Sequence, residues 1–218
     1  MNEGLLSSVA ESLDKGRIRQ DNEAIILSAA ERVFARYGFR GTTMQQIADA
    51  ADLPKANLHY YFGNKQTLYL RVLEEILQDW LAPLESLCAS ADPKTSLADY
   101  VGKKIAFSFE RPEASRLFAN EILQGAPVVS PLLKTQLHDL VAQKARILDC
   151  WIAGGKLRQM DTTHLFFTVW SMTQTYADFD IQIAAVLGSD SRTKDAQARA
   201  TAHVFDCLWR ICGLEEEQ

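Results

Sequence analysis

The chain has 218 residues, 47% of them hydrophobic, enough to bury one substantial core and a smaller second one. Its net charge is -5, and its four cysteines and four histidines fall into no CxxC or HxxxH spacing, which argues against a disulfide framework, a metal site or a cofactor held by such ligands. No apolar run reaches the roughly 18 residues that a membrane helix needs, and Glu3, Glu11 and Asp14 interrupt the start of the chain where a signal peptide would be apolar, so a soluble, cytoplasmic protein is expected.

Charge is unevenly spread. Residues 15–65 carry eight Lys/Arg against five Asp/Glu, whereas the remainder carries 15 against 23. A mildly basic head on an acidic body suits a molecule that touches nucleic acid with one end.

Taken in order, the elements read as all-α. Residues 1–20 are polar with a weak pattern and are expected to form a flexible arm, whose Lys15, Arg17 and Arg19 either reach DNA or stay unstructured. Ile25, Ile26, Ala29, Val33 and Phe34 make a helical stripe over residues 21–37 that Gly38 ends. A short second helix starts at Thr43, whose hydroxyl and Gln46 form a capping box. Pro54 opens a third helix that runs to Phe62, and Asn64 caps a fourth that runs to about residue 88. Further helices are expected at 95–110, 112–124, 131–154, 162–187 and 192–212, about nine in all. Their borders are marked by Pro112, Gly125-Ala126-Pro127, Gly154-Gly155 and Gly188-Ser189. Residues 165–187 are apolar on almost every face, so the protein's own core must cover one side and a second copy the other. The last two helices are the expected homodimer interface.

The run from Thr42 to Lys65 carries the function. Two short helices joined by a tight turn make a helix-turn-helix, with Ala48 and Ala51 small enough for a close crossing and Ile47, Leu53, Leu58 and Phe62 filling the wedge. The outward positions of the second helix, Lys55, Asn57, His59, Tyr60 and Tyr61, are hydrogen-bonding and unusually aromatic for a solvent face. They suit a DNA groove and its phosphates.

From Ile47 through Leu68, and in the preceding Phe34, Tyr37-Gly38-Phe39 and Gly41-Thr42-Thr43, the sequence resembles the DNA-binding domain of the TetR family. The resemblance implies an N-terminal helix-turn-helix domain over residues 21–66 and an effector-binding and dimerisation domain over 67–218. It implies that Thr43 caps its helix and meets a phosphate, that Lys55, Ala56 and Asn57 sit at the mouth of the recognition helix, that His59, Tyr60 and Tyr61 contact bases or backbone, and that Lys65 pairs with phosphate. Three positions depart from the family pattern. Asp52 and Ala56 stand where glycine is common, and His59 where tyrosine is. Asp tolerates the left-handed turn conformation, and a histidine can still donate one hydrogen bond.

Beyond the head, Leu68-Tyr69, Trp80-Leu81-Ala82-Pro83-Leu84, Ala114 to Phe118, Gly125-Ala126-Pro127 and Trp170 to Phe179 resemble the family's pyrimidine-utilisation regulators, which implies uracil or thymine as effector. Leu77, Trp80 and Leu81 lie at i, i+3 and i+4 on the fourth helix, and Trp170 and Gln174 at i and i+4 on the eighth. If those faces meet, two indoles would stack a flat heterocycle and the Gln174 amide would serve its imide edge, with Glu121 as a further polar partner and no buried charge required. Each has a plainer reading. The tryptophans can be core, Gln174 an interface amide, and Glu121 a partner of Arg116 or a solvated charge. Asp178 and Asp180 can mark a kink, a cap or a dimer contact.

The reading that follows is a dimeric, effector-responsive regulator, a repressor in type, on a palindromic operator. The alternative is a regulator of efflux or other catabolism with a different, hydrophobic effector. An enzyme is not expected, because the sequence holds no Glu-x-x-His pair, no nucleophile signature and no phosphate loop.

Overall fold

The computed structural model describes residues 3–215, with side chains for Arg17 and for residues 19–215. The helices in chain order are α1 (Glu3–Gly41), α2 (Met44–Ala51), α3 (Lys55–Phe62), α4 (Lys65–Glu85), α5 (Pro93–Glu110) and α6 (Pro112–Leu123). Then come α7 (Ser130–Leu132, a π-helical turn Leu133–Leu137, and His138–Ala153), α8 (Thr162–Asp178), α9 (Asp180–Leu187) and α10 (Lys194–Cys212). No strand occurs, and no helix is long and apolar enough to cross a membrane, among the described residues. The chain forms two compact units, Met1–Leu73 and Glu74–Gln218. That border lies inside α4, beyond the 66/67 division expected from sequence, because Leu68, Tyr69, Val72 and Leu73 are buried in the first unit's half of the helix.

In the first unit, Ile26, Ala29, Ala30 and Phe34 from α1 are fully buried with Ile47 and Ala48 of α2, Leu58 of α3 and Leu68 of α4. The Phe34 ring meets Tyr69 edge-on at 4.8 Å. Gly38 (φ 69°) breaks the α-helical path inside α1, after which the chain makes one more turn to Gly41. The expected loose arm is replaced by helix from Glu3 onward, where the sequence has helix formers and no proline. Arg17 and Arg19 are exposed on it; the Lys15 side chain lies outside the described residues.

The capping box closes as its spacing requires. The Thr43 hydroxyl oxygen accepts from Gln46 N at 3.2 Å, and Gln46 Oε1 accepts from Thr43 N at 2.8 Å. Asp52 sits in the left-handed region (φ 53°, ψ 42°) and ends α2, its N–H donating to carbonyls of Ala48 and Asp49. Glycine adopts that conformation without the Cβ clash. Asp52→Gly is therefore expected to stabilise the head by about 0.5–1 kcal/mol in chemical denaturation.

The second unit's core gathers Leu84, Tyr100, Val101, Leu148, Trp151, Phe166, Val169 and Leu208. Its α4 end stops at Glu85 because buried Lys144 donates to the carbonyls of Glu85 and Leu87, each at 3.0 Å, and Trp151 Nε1 donates to Ala89 O at 3.1 Å. The eighth predicted helix is two. Phe179 (φ -121°, ψ 30°) separates α8 from α9. Ser115 and Arg116 of α6 hold the break: Ser115 Oγ donates to Asp178 at 2.7 Å, and Arg116 donates to Ala177 O at 3.1 Å and to Asp180 at 3.2 Å. Asp178 and Asp180 thus mark a kink. Around it Phe167, Phe179, Ile181, Val186 and Leu187 stay exposed, Ile181 at 84%.

Candidate DNA-reading surface and effector cavity

The α2–α3 pair presents Thr43, Lys55, Ala56, His59 and Tyr60 to solvent, with Asn57 and Tyr61 half-buried. Tyr60, 74% exposed, stands edge-on to Tyr61 at 5.1 Å. The Tyr61 hydroxyl accepts from Asn22 Nδ2 at 3.3 Å, and the Arg19 guanidinium lies 6.0 Å from its ring. The lower part of α1 therefore fixes the aromatic pair, a role for Arg19 and Asn22 that the sequence reading missed.

Two predicted contacts are engaged within the protein. His59 Nδ1 lies 2.8 Å from the Gly63 carbonyl at the end of α3. A carbonyl only accepts, so Nδ1 carries a proton and only Nε2 is left to face DNA. Lys65 turns inward. Its ammonium donates to Phe39 O and Thr42 O, both at 2.7 Å, and lies 4.6 Å from the Phe39 ring. It clamps the end of α1 to the start of α4, which is a different task from the phosphate contact expected of it.

In the second unit, α4 and α8 face each other across a cavity of about 670 Å³. Leu77, Trp80, Leu81, Trp170 and Gln174 all line it. Trp80 is wedged edge-on to Phe107 and tilted against Phe118, at 5.9 and 4.8 Å. The Trp170 N–H donates to Tyr100 Oη at 2.9 Å, so this indole brings only its ring to the cavity. The Gln174 amide reaches the cavity with no hydrogen-bond partner among the described residues. Leu133 and Leu137, at the ends of the π-helical turn, complete the apolar wall.

Glu121 does not line the cavity, and it does not pair with Arg116. Its buried carboxylate accepts from Val128 N at 2.6 Å and Val129 N at 3.2 Å. It thereby ties down the Gly125-Ala126-Pro127 turn, where Ala126 has a positive φ of 55°. A carboxylate suits the backbone N–H groups that precede α7.

Charge does enter the cavity, contrary to the expectation of a charge-free site. Lys104 of α5, Arg116 and Asp178 line it. Lys104 is 3% exposed, with its ammonium 4.4 Å from the Trp80 ring. Burial pushes it down to about 7, the nearby Asp178 only partly opposing this. Burial likewise raises the Asp178 carboxyl, against the Ser115 hydrogen bond and the charges of Arg116 and Lys104. Sequence carried a signal for Lys104. It falls on the buried stripe of α5 with Leu97, Tyr100, Val101, Ile105 and Ser108, where a lysine has no structural reason to be.

Comparison with known proteins agrees with this layout. Residues 26–72 match the family model described as bacterial regulatory proteins, tetR family, and residues 73–215 match the YcdC-like protein, C-terminal region. The chain is 42% identical over 167 residues to the HTH-type transcriptional regulator RutR of Escherichia coli O157:H7, covering 77% of this chain and 79% of RutR. It is 28% identical over 189 residues to the HTH-type transcriptional repressor NicS of Pseudomonas putida, covering 85% of this chain and 89% of NicS. The fold is shared with the regulator SCO4942 of Streptomyces coelicolor (TM-score 0.68, 22% identity, 88% of this chain and 98% of that one). It is shared also with GusR of Salmonella enterica (TM-score 0.63, 20% identity, 88% and 96%). The helix-turn-helix, the helical domain that follows it in the chain and these matches lead to one assignment: the chain belongs to the TetR family of DNA-binding transcriptional regulators, which are not enzymes.

Proposed function

We propose that the protein is a cytoplasmic, homodimeric repressor released from a palindromic operator by a small planar effector of the uracil or thymine type. The observation that carries the effector class is the cavity between Trp80 and Trp170, with an unengaged Gln174 amide on its wall. Flat rings stack on indoles, and an amide can donate and accept side by side, as an imide edge requires. The resemblance of the C-terminal half to pyrimidine-utilisation regulators supports the same class. Similarity to NicS, a repressor by name, supports the sign of regulation.

In this reading Thr43, Lys55, Ala56, Asn57, Tyr60 and Tyr61 face the DNA, with His59 turning Nε2 toward a base edge or the backbone. A twofold dimer through α8, α9 and α10 would bury the exposed Phe179, Ile181, Val186 and Leu187 and would read half-sites one helical turn apart, about 34–36 Å. The effector would act by binding one arrangement of the dimer better than the other.

Calorimetric titration with uracil and thymine tests the effector. Binding in the micromolar range is expected, with Trp170→Ala weakening it roughly 10- to 100-fold through lost stacking and Gln174→Ala by a similar factor through the lost amide. A cavity of about 670 Å³ is roomy for one pyrimidine. This favours, as the second reading, a larger hydrophobic effector. Absence of uracil and thymine binding, with salt-dependent operator binding intact, selects it.

A further inference from the structure

Lys104 makes no hydrogen bond or ion pair through its ammonium among the described residues, only the contact with the Trp80 ring. The other buried lysine among the described residues is used: Lys144 donates to two carbonyls. The charged groups that share the cavity with Lys104 are Arg116 of α6 and Asp178 of α8, while α4 and α7 present only apolar side chains there. Arg116 is occupied by Ala177 O and Asp180, and Asp178 accepts from Ser115. Asp178 acts on Lys104 only through space, without an ion pair. The stem is buried while the ammonium faces the cavity; a charge held there with little protein around it to accept its hydrogen bonds gains from a well-placed ligand oxygen.

We propose that Lys104 is the docking point for the effector, so that the cavity takes a planar molecule carrying a carbonyl or carboxylate oxygen and takes up a proton as it binds. This rests on the effector-cavity reading above and adds the ligand's chemistry and its linkage to pH. In the empty cavity the lysine is largely neutral at pH 8 and largely charged at pH 6, because burial holds it at about 7. An oxygen bound against it restores the charged form. Affinity is therefore greatest at pH 6 and falls about tenfold by pH 8, where nearly one proton is taken up per ligand.

The test is calorimetry on the full chain with two probes, uracil and benzoate, at pH 6 and pH 8, in buffers of different ionisation enthalpy. Neither probe titrates across that range, so the protons counted belong to the protein. Uptake approaching one proton at pH 8, near none at pH 6, and loss of binding in Lys104→Met with its fold kept by circular dichroism, support the proposal. If benzoate behaves this way and uracil does not bind, the pyrimidine reading fails and the role of Lys104 stands. Binding of either probe without uptake at pH 8, or equal binding by Lys104→Met, overturns the proposal. So does failure of both probes to bind.

Discussion

Lys104→Met should make the protein more stable, by roughly 2–3 kcal/mol at pH 6, with well over half of that gain gone by pH 9.5. The argument starts from burial. Desolvation lowers the folded-state value of Lys104 to about 7, against roughly 10.4 in an unfolded chain. Between those two pH values the unfolded chain holds the proton and the folded chain does not, so wild-type stability rises with pH across that window. Below about 7 both states are protonated and the full penalty stands. The ceiling on that penalty is about 4–5 kcal/mol; the expected gain is smaller because water entering the cavity and the attraction of Asp178 soften it. Methionine has a similar length, no charge and a flexible thioether that packs against Trp80. Thermal unfolding of both proteins at the two pH values gives the answer. An equal difference at both would mean that Lys104 keeps an ordinary charge state inside the fold.

The same substitution should leave a regulator that no longer responds to the proposed effector. Stability and response then oppose each other at one residue, as they commonly do where a binding site holds a group the fold alone would exclude. Operator binding should persist, since Lys104 belongs to the second compact unit and the helix-turn-helix to the first.

What could be read from the sequence was mostly local. The Thr43–Gln46 capping box, the Asn64 cap and the left-handed Asp52 depend on residues within four positions of each other, and the side-chain types declare them. Helical spacing groups Trp80 with Leu77 and Leu81, and Trp170 with Gln174, but that the two faces line one cavity was only a condition in the sequence. The residues whose partners were not foreseen share a different property. His59, Lys65 and Glu121 all bond to backbone groups, and a carbonyl or amide has no signature in the sequence. For Lys65 the carbonyls lie 26 and 23 residues away. The break at Phe179 was legible only as one of three readings of Asp178 and Asp180, because Ser115 and Arg116, which hold it, lie more than 60 residues upstream. Lys104 could have been found. A charge on an otherwise apolar stripe is the informative exception, although a stacking pocket does not require it.

Lys65 separates two accounts of the DNA-binding head. If its ammonium served a phosphate, Lys65→Met would leave the fold intact and reduce the slope of log affinity against log salt by about 0.9. The geometry leads to another outcome. Two carbonyls, Phe39 O and Thr42 O, depend on this ammonium at the junction of α1, α2 and α4. Hydrogen bonds to a charged group each contribute about 1.5–3 kcal/mol, and methionine leaves both oxygens without a donor unless water reaches them. The expected result is a loss of roughly 2–4 kcal/mol in the stability of the head, weaker operator binding that tracks the fraction of folded head as temperature rises, and a salt slope unchanged at low temperature. Denaturation followed by circular dichroism, with operator binding measured at three salt concentrations, tells the two apart. A shallower slope with unaltered stability would return Lys65 to the phosphate backbone. Lower stability with the wild-type slope makes it the clamp that holds the recognition helix in register, acting on DNA only through the fold.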